Sequence, residues 1–204
     1  MPVDINEWRK PFATLFEAAT TVTFFDCSSV EIVHKAFSLD DRKIKITPHL
    51  INYFNCDSSM DVTGALHIGI LGTLTDIKGG RVVKALFEHI DKQGLRIPIT
   101  VVGHSFVDIP SKIKVYGHYE RNDLPVIMRE NFINVILMPT IVPETFSYTI
   151  SEAMQMGLPI VAFDIGAQGC RVKQYALGKV IPLDSPPEVI LTAIQSALKT
   201  AQEL

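Results

Sequence analysis

Two carboxylates lie in the stretch PETFSYTISEAMQMGLPIVAFD, which covers residues 143–164. Glu144 precedes a predicted helix over residues 145–156, and Glu152 lies two turns inside that helix. A helix that follows a parallel strand presents unpaired backbone N–H groups, and together with the helix dipole these attract an anion such as phosphate. Carboxylates repel phosphate but accept hydrogen bonds from hydroxyl groups. The stretch therefore indicates a ligand that carries a diphosphate between two hydroxylated rings, such as a sugar and a ribose.

The backbone donors for such an anion would be the amides at the helix start. The candidates are Thr145, Phe146, Ser147 and Tyr148. The predicted face of this helix toward the sheet contains Phe146, Ile150, Ala153, Met154 and Gly157, which leaves Glu152 on another stripe with Thr145 and Tyr148. An explanation without a ligand stays open, because the helix dipole stabilises a first-turn glutamate by about 0.3–1 kcal/mol and mid-helix glutamates are commonly solvated.

A second candidate segment is GTLTDIKGG, residues 72–80. It lacks the G-K-[ST] ending of a P-loop and contains no G-x-G-x-x-G. A strand, a loop opened by Gly72, a lysine and then a helix is nevertheless suited to gripping phosphate, with Lys78 as a point charge near the helix N-terminus. The alternative is a solvated lysine in an ordinary strand-to-helix loop.

Apolar runs and amphipathic stretches alternate through the rest of the chain. The predicted strands are 66–72, 97–103, 112–117, 134–139, 158–164 and 178–183, and the predicted helices are 79–93, 122–132, 145–156, 168–176 and 186–202. This alternation predicts an α/β fold, a Rossmann-like parallel sheet with helices on both faces. Ligands of such sheets bind beyond the carboxyl ends of the strands. Both candidate segments follow strands, so we expect them on one rim.

Residues 1–60 do not continue the alternation of apolar runs and amphipathic stretches seen in the rest of the chain. They predict a helix at 6–20, a strand at 21–26, a second helix capped by Ser28 or Ser29, and a strand at 42–49, followed by a polar linker at 51–64. We expect residues 1–60 to be the remnant of another domain plus a linker, and residues 61–204 to form the main domain. Trp8 and the phenylalanines of residues 12–25 are expected to pack within that remnant rather than to bind an acceptor.

The composition argues against several classes of protein, namely nucleic-acid-binding, disulfide-rich, zinc-binding and membrane-spanning proteins. The 204 residues are 47% hydrophobic, and the net charge is −3 without a basic stripe, so nucleic acid is not an expected partner. Three separated cysteines predict neither a disulfide framework nor a zinc site. No signal peptide or membrane-spanning run is recognisable, which leads us to expect a cytoplasmic protein.

The two candidate segments together resemble the C-terminal, donor-binding domain of GT-B glycosyltransferases, specifically the retaining enzymes of family 4. That family pattern reads G-R-L-x-x-x-K-G and, later, P-E-x-F-G-x-x-x-x-E-A-M-A-x-G-x-P-V-V-A-x-D-x-G-G. This sequence has G-T-L-T-D-I-K-G at 72–79 and P-E-T-F-S-Y-T-I-S-E-A-M-Q-M-G-L-P-I-V-A-F-D-I-G-A at 143–167. It departs from the pattern at Thr73, where an arginine is usual, and at Ser147, where a glycine is common.

The resemblance implies a role for each candidate residue. Glu144 would bind hydroxyls of the donor sugar and Glu152 those of the ribose, while Lys78 and the amides of Phe146, Ser147 and Tyr148 would hold the diphosphate. It also implies that Gly72 and Thr73 border the donor, that the donor is a nucleotide-diphosphate sugar, and that no metal or other cofactor is required.

The same resemblance implies an enzyme that transfers the sugar to a glycan or lipid-linked acceptor, in the context of polysaccharide biosynthesis. The acceptor would bind to an N-terminal domain that this chain mostly lacks, so the isolated chain should be inactive. Peripheral association of the full enzyme with a membrane stays open. Two other hypotheses remain: a non-catalytic Rossmann-like nucleotide-binding or interaction module, and a nucleotide-sugar epimerase with a GT-B cleft.

Overall fold

The computed structural model describes residues 4–51, 54 and 60–204. Its helices are α1 (Ile5–Ala18), α2 (Cys27–His34), α3 (Gly80–Lys92), α4 (Leu124–Glu130), α5 (Tyr148–Gln155), α6 (Gly166–Gln174) and α7 (Pro187–Gln202). Its strands are β1 (Val22–Phe24), β2 (Ile44–Ile46), β3 (Ile68–Leu71), β4 (Ile99–Val102), β5 (Lys114–Val115), β6 (Val135–Met138), β7 (Ile160–Phe163) and β8 (Gly178–Ile181).

Six strands form one parallel sheet in the order β5-β4-β3-β6-β7-β8. Its four central strands are buried along their whole length, which is why their residues are apolar apart from Thr100 of β4. Alternate residues serve opposite faces: Val135 and Leu137 of β6 pack toward α3 and α7, whereas Ile136 and Met138 pack toward α4 and α5. The predicted α/β sheet with helices on both faces is confirmed.

Some predicted elements differ in detail. Helix α5 begins at Tyr148 rather than at residue 145, and the predicted helix over 122–132 is a short 3-10 turn at Arg121–Asp123 followed by α4. The end of α5 is as predicted, since Gly157 has a φ of 68° and its N–H donates to the Met154 carbonyl. The buried face is completed by Met156 rather than by Met154, which is half-buried.

The two edges of the sheet are formed by β5 and β8. Strand β5 is only two residues long and both of its residues are exposed. The connection from β4 to β5 contains no helix within its described residues, as its short length suggested. Strand β8 lies against α7, where Lys179 Nζ donates a 2.8 Å hydrogen bond to Ser196 Oγ.

The N-terminal segment forms α1, α2 and a separate two-stranded parallel sheet of β1 and β2. The cap of α2 is Asp26, whose carboxylate accepts from the Ser28 amide at 2.9 Å, so the predicted Ser28 or Ser29 cap was wrong. Most of the predicted linker at 51–64 lies outside the described residues, and the division of the chain at residue 60 stays a prediction. No helix of the described ranges combines the length and hydropathy that crossing a bilayer would require.

Candidate functional site

The strand order of the sheet determines where a ligand can enter. Because β3 and β6 are neighbours while their chain continuations diverge to opposite sides, a crevice opens beyond their carboxyl ends. A cavity of about 580 Å³ occupies this position. It is lined by both predicted segments, including Gly72, Thr73, Lys78, Glu144, Thr145, Phe146, Ser147 and Tyr148. The expectation that the two segments share one rim is confirmed.

The loop after β3 is fixed by close backbone contacts with the loop after β6. Gly79 has a φ of 87°, and a Cβ atom there would lie 2.0 Å from the Pro139 carbonyl oxygen. The amide of Ile141 donates to the Ile77 carbonyl at 3.1 Å. These contacts hold Lys78 at the mouth of the cavity.

Lys78 and Glu144 form an ion pair across the cavity mouth, between Nζ and Oε1. The same carboxylate oxygen accepts a hydrogen bond from Thr140 Oγ1 at 3.3 Å. The Lys78 side chain is 42% exposed, whereas that of Glu144 is 12% exposed, so the lysine can swing outward more easily than the glutamate. A cation and a hydroxyl-accepting carboxylate are thus brought together by segments separated by 66 positions in the chain.

Side chains of helix α6 hold the loop before α5 through hydrogen bonds to its backbone. The Gln168 side chain accepts from the Glu144 amide and donates to the Val142 carbonyl, both at 2.8 Å. Arg171 Nη1 donates to the carbonyls of Phe146 and Ser147 at 2.7 and 2.8 Å. This arginine also lies 4.0 Å from the centroid of the Phe146 ring.

Those contacts orient the amides of the loop. In a trans peptide the C=O and N–H bonds point in opposite directions. Because Arg171 binds the carbonyls of Phe146 and Ser147, the N–H groups of Ser147 and Tyr148 point away from Arg171. Neither N–H donates a hydrogen bond to any residue in the described part of the chain. The loop therefore offers two adjacent backbone donors at the start of α5.

Ser147 adopts an unusual backbone conformation at this point. Its φ is 68°, in the region that favours glycine, and it is one of two described non-glycine residues with positive φ. The helical spacing of apolar residues in α5 extends back to Phe146, but the positive φ of Ser147 is not helical. The helix therefore starts only at Tyr148. The conformation is also what directs two successive carbonyls toward Arg171.

Glu152 lies deeper than its predicted stripe suggested. It is only 3% exposed, and its Oε1 accepts a 2.9 Å hydrogen bond from Arg121 Nε. Its second oxygen, Oε2, is buried and has no hydrogen-bond partner among the described residues. Burial raises the pKa of this carboxyl group, although Arg121 opposes the shift. Glu152 does not line the cavity itself but lies one turn beyond Thr149, which does.

Two aromatic residues of the N-terminal segment also line the cavity, and sequence reasoning missed both. His49 is stacked on Phe25 with 3.9 Å between ring centroids, and its ring lies 4.9 Å from Phe146 and 5.3 Å from Tyr148. The predicted packing within the remnant does not include this position for Phe25, and the sequence predicts no role for His49. No spacing in the sequence could have linked residues so far apart in the chain.

Comparison with known proteins identifies the family of the chain and solved structures with a similar fold. The family model described as glycosyl transferases group 1 matches residues 65–200. None of the curated protein sequences compared with the chain matches it.

Solved structures match nearly the whole chain. Sucrose-phosphate synthase from Thermosynechococcus elongatus is 16% identical, with a TM-score of 0.75 over 94% of this chain and 52% of that structure. HepE from Anabaena in complex with UDP-glucose is 19% identical, with a TM-score of 0.68 over 90% of this chain and 56% of that one. The pneumococcal O-GlcNAc transferase GtfA in complex with UDP and GlcNAc is 18% identical, with a TM-score of 0.64 over 96% of this chain and 40% of that one. The chain thus spans about half the length of the structures it matches.

Proposed function

The chain belongs to the family of glycosyl transferases group 1, and from this membership we propose that its cavity binds the nucleotide-diphosphate sugar donor of a glycosyl transfer reaction. The observation that carries the proposal is the pair of backbone N–H groups at Ser147 and Tyr148, which share the cavity with the ammonium group of Lys78 and the carboxylate of Glu144. Such a set suits a ligand that combines negative charge with hydroxyl groups.

The diphosphate would bind to the positive end of α5. The N–H groups of Ser147 and Tyr148 would donate to phosphate oxygens, as helix N-termini do for anions. Lys78 would add a full positive charge from the opposite wall of the cavity. Thr73 cannot supply the second cation that an arginine would provide at this position.

Glu144 would accept hydrogen bonds from hydroxyls of the donor sugar. In the absence of the nucleotide-sugar, the negative charge of its carboxylate is balanced by the ion pair with Lys78. When a diphosphate enters, it competes for the lysine, and the released carboxylate oxygen becomes available to the sugar. The ion pair would therefore couple recognition of the two parts of the ligand.

Glu152 would bind the ribose hydroxyls. Its buried Oε2 atom has no hydrogen-bond partner among the described residues, and an unsatisfied buried carboxylate oxygen costs folding free energy. Hydroxyl donors from a ligand would satisfy this oxygen. The entry of a ribose requires Arg121 or the neighbouring loop to move, because Glu152 lies behind the lining of the cavity.

Transfer requires charge stabilisation on the leaving nucleotide diphosphate as the glycosidic bond breaks. The two backbone amides would be fixed donors to that charge, and the more mobile ammonium group of Lys78 would add to them, which is the general electrostatic strategy of enzymes. We propose that the reaction retains the anomeric configuration, as the family resemblance implies. The acceptor of the reaction would be a glycan or a lipid-linked glycan.

The proposal is tested by calorimetric titration of the purified chain with UDP, GDP, ADP and dTDP, beginning with UDP because structures of HepE and GtfA were solved with it. The decisive comparison is the preferred nucleotide against its 2′,3′-dideoxy analogue. We expect wild type to bind the analogue about 10- to 150-fold more weakly, since a hydrogen bond to a charged group contributes about 1.5–3 kcal/mol. Glu152→Gln, which keeps only a neutral acceptor oxygen, should show a smaller difference between the two forms.

The results separate the proposal from its rivals. Failure of every nucleotide to bind at millimolar concentration would favour the non-catalytic interaction module. Binding with no dependence on the ribose hydroxyls would remove Glu152 from the site while leaving the cavity as the diphosphate site. An epimerase would convert the sugar of a bound nucleotide-sugar without any acceptor, and nuclear magnetic resonance of the nucleotide-sugar after incubation with the chain detects that conversion.

A further inference from the structure

A second chemical cluster lies away from the cavity, where α2 contacts α6. Cys27 is the first residue of α2 and is exposed, and Cys170 lies on α6 and is half-buried. Their sulfur atoms and a carboxylate oxygen of Asp26 all lie within 4.8 Å of one another. The two thiols come from segments separated by more than half of the chain, so their proximity is produced by the fold.

A metal ion is the less suitable occupant of this cluster. The Asp26 carboxylate already accepts hydrogen bonds from the amide and the hydroxyl of Ser28. Metal binding also requires thiolates, whereas burial, with a smaller contribution from Asp26, raises the pKa of the Cys170 thiol to about 11. A bond between the two sulfur atoms requires neither the carboxylate nor a permanent thiolate.

We propose that Cys27 and Cys170 form a reversible disulfide with glutathione disulfide as the oxidant. The exposed Cys27 thiolate attacks one sulfur of glutathione disulfide and releases one glutathione thiolate. The Cys170 sulfur, after losing its proton, attacks the Cys27 sulfur and releases the second glutathione. Two electrons pass from the cysteines to glutathione disulfide, and the two thiol protons end on two glutathione molecules. The sulfur atoms lie within 4.8 Å of each other and need to approach to about 2.05 Å.

The disulfide would act on the cavity through α6, because this helix contacts the loop that lines the cavity. The same helix carries Gln168 and Arg171, which hold the carbonyls and the amide of the loop before α5. A disulfide would fasten the N-terminal segment to the helix that supports this loop. The proposal is independent of the nucleotide-sugar proposal, because it concerns two thiols and needs no ligand.

The test uses the whole chain, equilibrated with glutathione at several ratios of disulfide to thiol and then alkylated. Trypsin separates the three cysteines into peptides that end at Lys35, Lys78 and Arg171. We expect mass spectrometry to find the Lys35 and Arg171 peptides joined, and the intact chain to be lighter by two hydrogen atoms. The Cys56→Ser control should retain this product, whereas Cys27→Ser and Cys170→Ser should lose it.

The fastening of the segments is measured separately by thermal unfolding. Closing a loop of this length should raise the melting temperature of the oxidised wild type by about 5–15 °C relative to the reduced protein, with no rise in Cys170→Ser. Persistent glutathione adducts on Cys27 beside an alkylated Cys170, or a crosslink that contains Cys56, would overturn the proposed pairing. A Cys27–Cys170 bond that leaves the melting temperature unchanged would overturn its fastening role.

Discussion

Separate replacement of the two members of the Lys78–Glu144 pair should change diphosphate binding in opposite directions. Lys78→Met removes the cation while keeping an unbranched side chain only one atom shorter, and Glu144→Gln removes the charge that repels phosphate while keeping an acceptor for Thr140. If both residues served only to stabilise the loops, the two substitutions would affect binding in the same direction. The sign of the Glu144→Gln effect is therefore informative.

The magnitudes follow from charge and exposure. Two unit charges 4 Å apart interact by about 1 kcal/mol in water and about 4 kcal/mol at an effective dielectric constant of 20. Because the Lys78 side chain is 42% exposed and already shares its charge with Glu144, the lower part of that range applies. We expect Lys78→Met to weaken UDP binding by about 1–2 kcal/mol, or about 5- to 30-fold. Glu144→Gln should strengthen it by about 1 kcal/mol, or about 5-fold, for a repulsion acting over roughly 6 Å.

The assay is calorimetric titration of UDP into wild type, both single variants and the double variant at two salt concentrations. The double-mutant cycle isolates the coupling between the two side chains. Lys112→Met is the matched control, because it removes a lysine whose ammonium pairs with Asp91 at 2.6 Å outside the cavity lining. Weaker UDP binding by Glu144→Gln, or unchanged binding by Lys78→Met, would refute the assignment of opposite roles.

Two further predictions concern the framework of the site. Gly79→Ala and Gly94→Ala both introduce a side chain at positive φ, but only at Gly79 would the Cβ meet backbone, 2.0 Å from the Pro139 oxygen. We expect Gly94→Ala to cost about 1 kcal/mol and Gly79→Ala about 1–3 kcal/mol more in urea unfolding; equal losses would contradict the close approach of the loops. Burial, and to a smaller extent the positive charge of Lys114, lowers the pKa of the His67 side chain to about 4. Between pH 6.5 and pH 4 the unfolded chain therefore binds a proton at this histidine that the folded chain does not. Stability should therefore fall as pH falls through this window, by up to about 1.4 kcal/mol per pH unit, and His67→Gln should show a shallower fall in melting temperature over the same range.

The sequence was most informative where one physical cause dominates locally. A strand buried on both faces must be mainly apolar, so the four central strands lie within predicted runs, and the two edge strands lie within such runs as well. Strand endings then fixed which loops share a rim, because the strands are parallel. The position of Lys78 beside the helix that follows Glu144 required only this rule.

Local patterns failed where a distant element intervenes. Phe146 fits the apolar period of α5, yet it precedes the helix because the Ser147 backbone, held by Arg171 of another helix, turns out of helical geometry. The spacing of Glu152 indicated a side stripe, but Arg121 from a different loop covers it. His49 reaches the cavity through the N-terminal segment, and nothing near it in sequence indicates that position.

The edges of the main sheet bear on how the molecule behaves at high concentration. An edge strand exposes unpaired backbone groups that can recruit a strand from another chain, and proteins oppose this with short edges and charged side chains. Here β5 offers only two residues, one of them Lys114, and Lys179 occupies the middle of β8 at the other edge. A strand that pairs with either edge would lie beside a charged side chain, whose ammonium group donates to Asn131 Oδ1 at β5 and to Ser196 Oγ at β8. The sheet is thereby protected against edge-to-edge aggregation while its carboxyl end remains open.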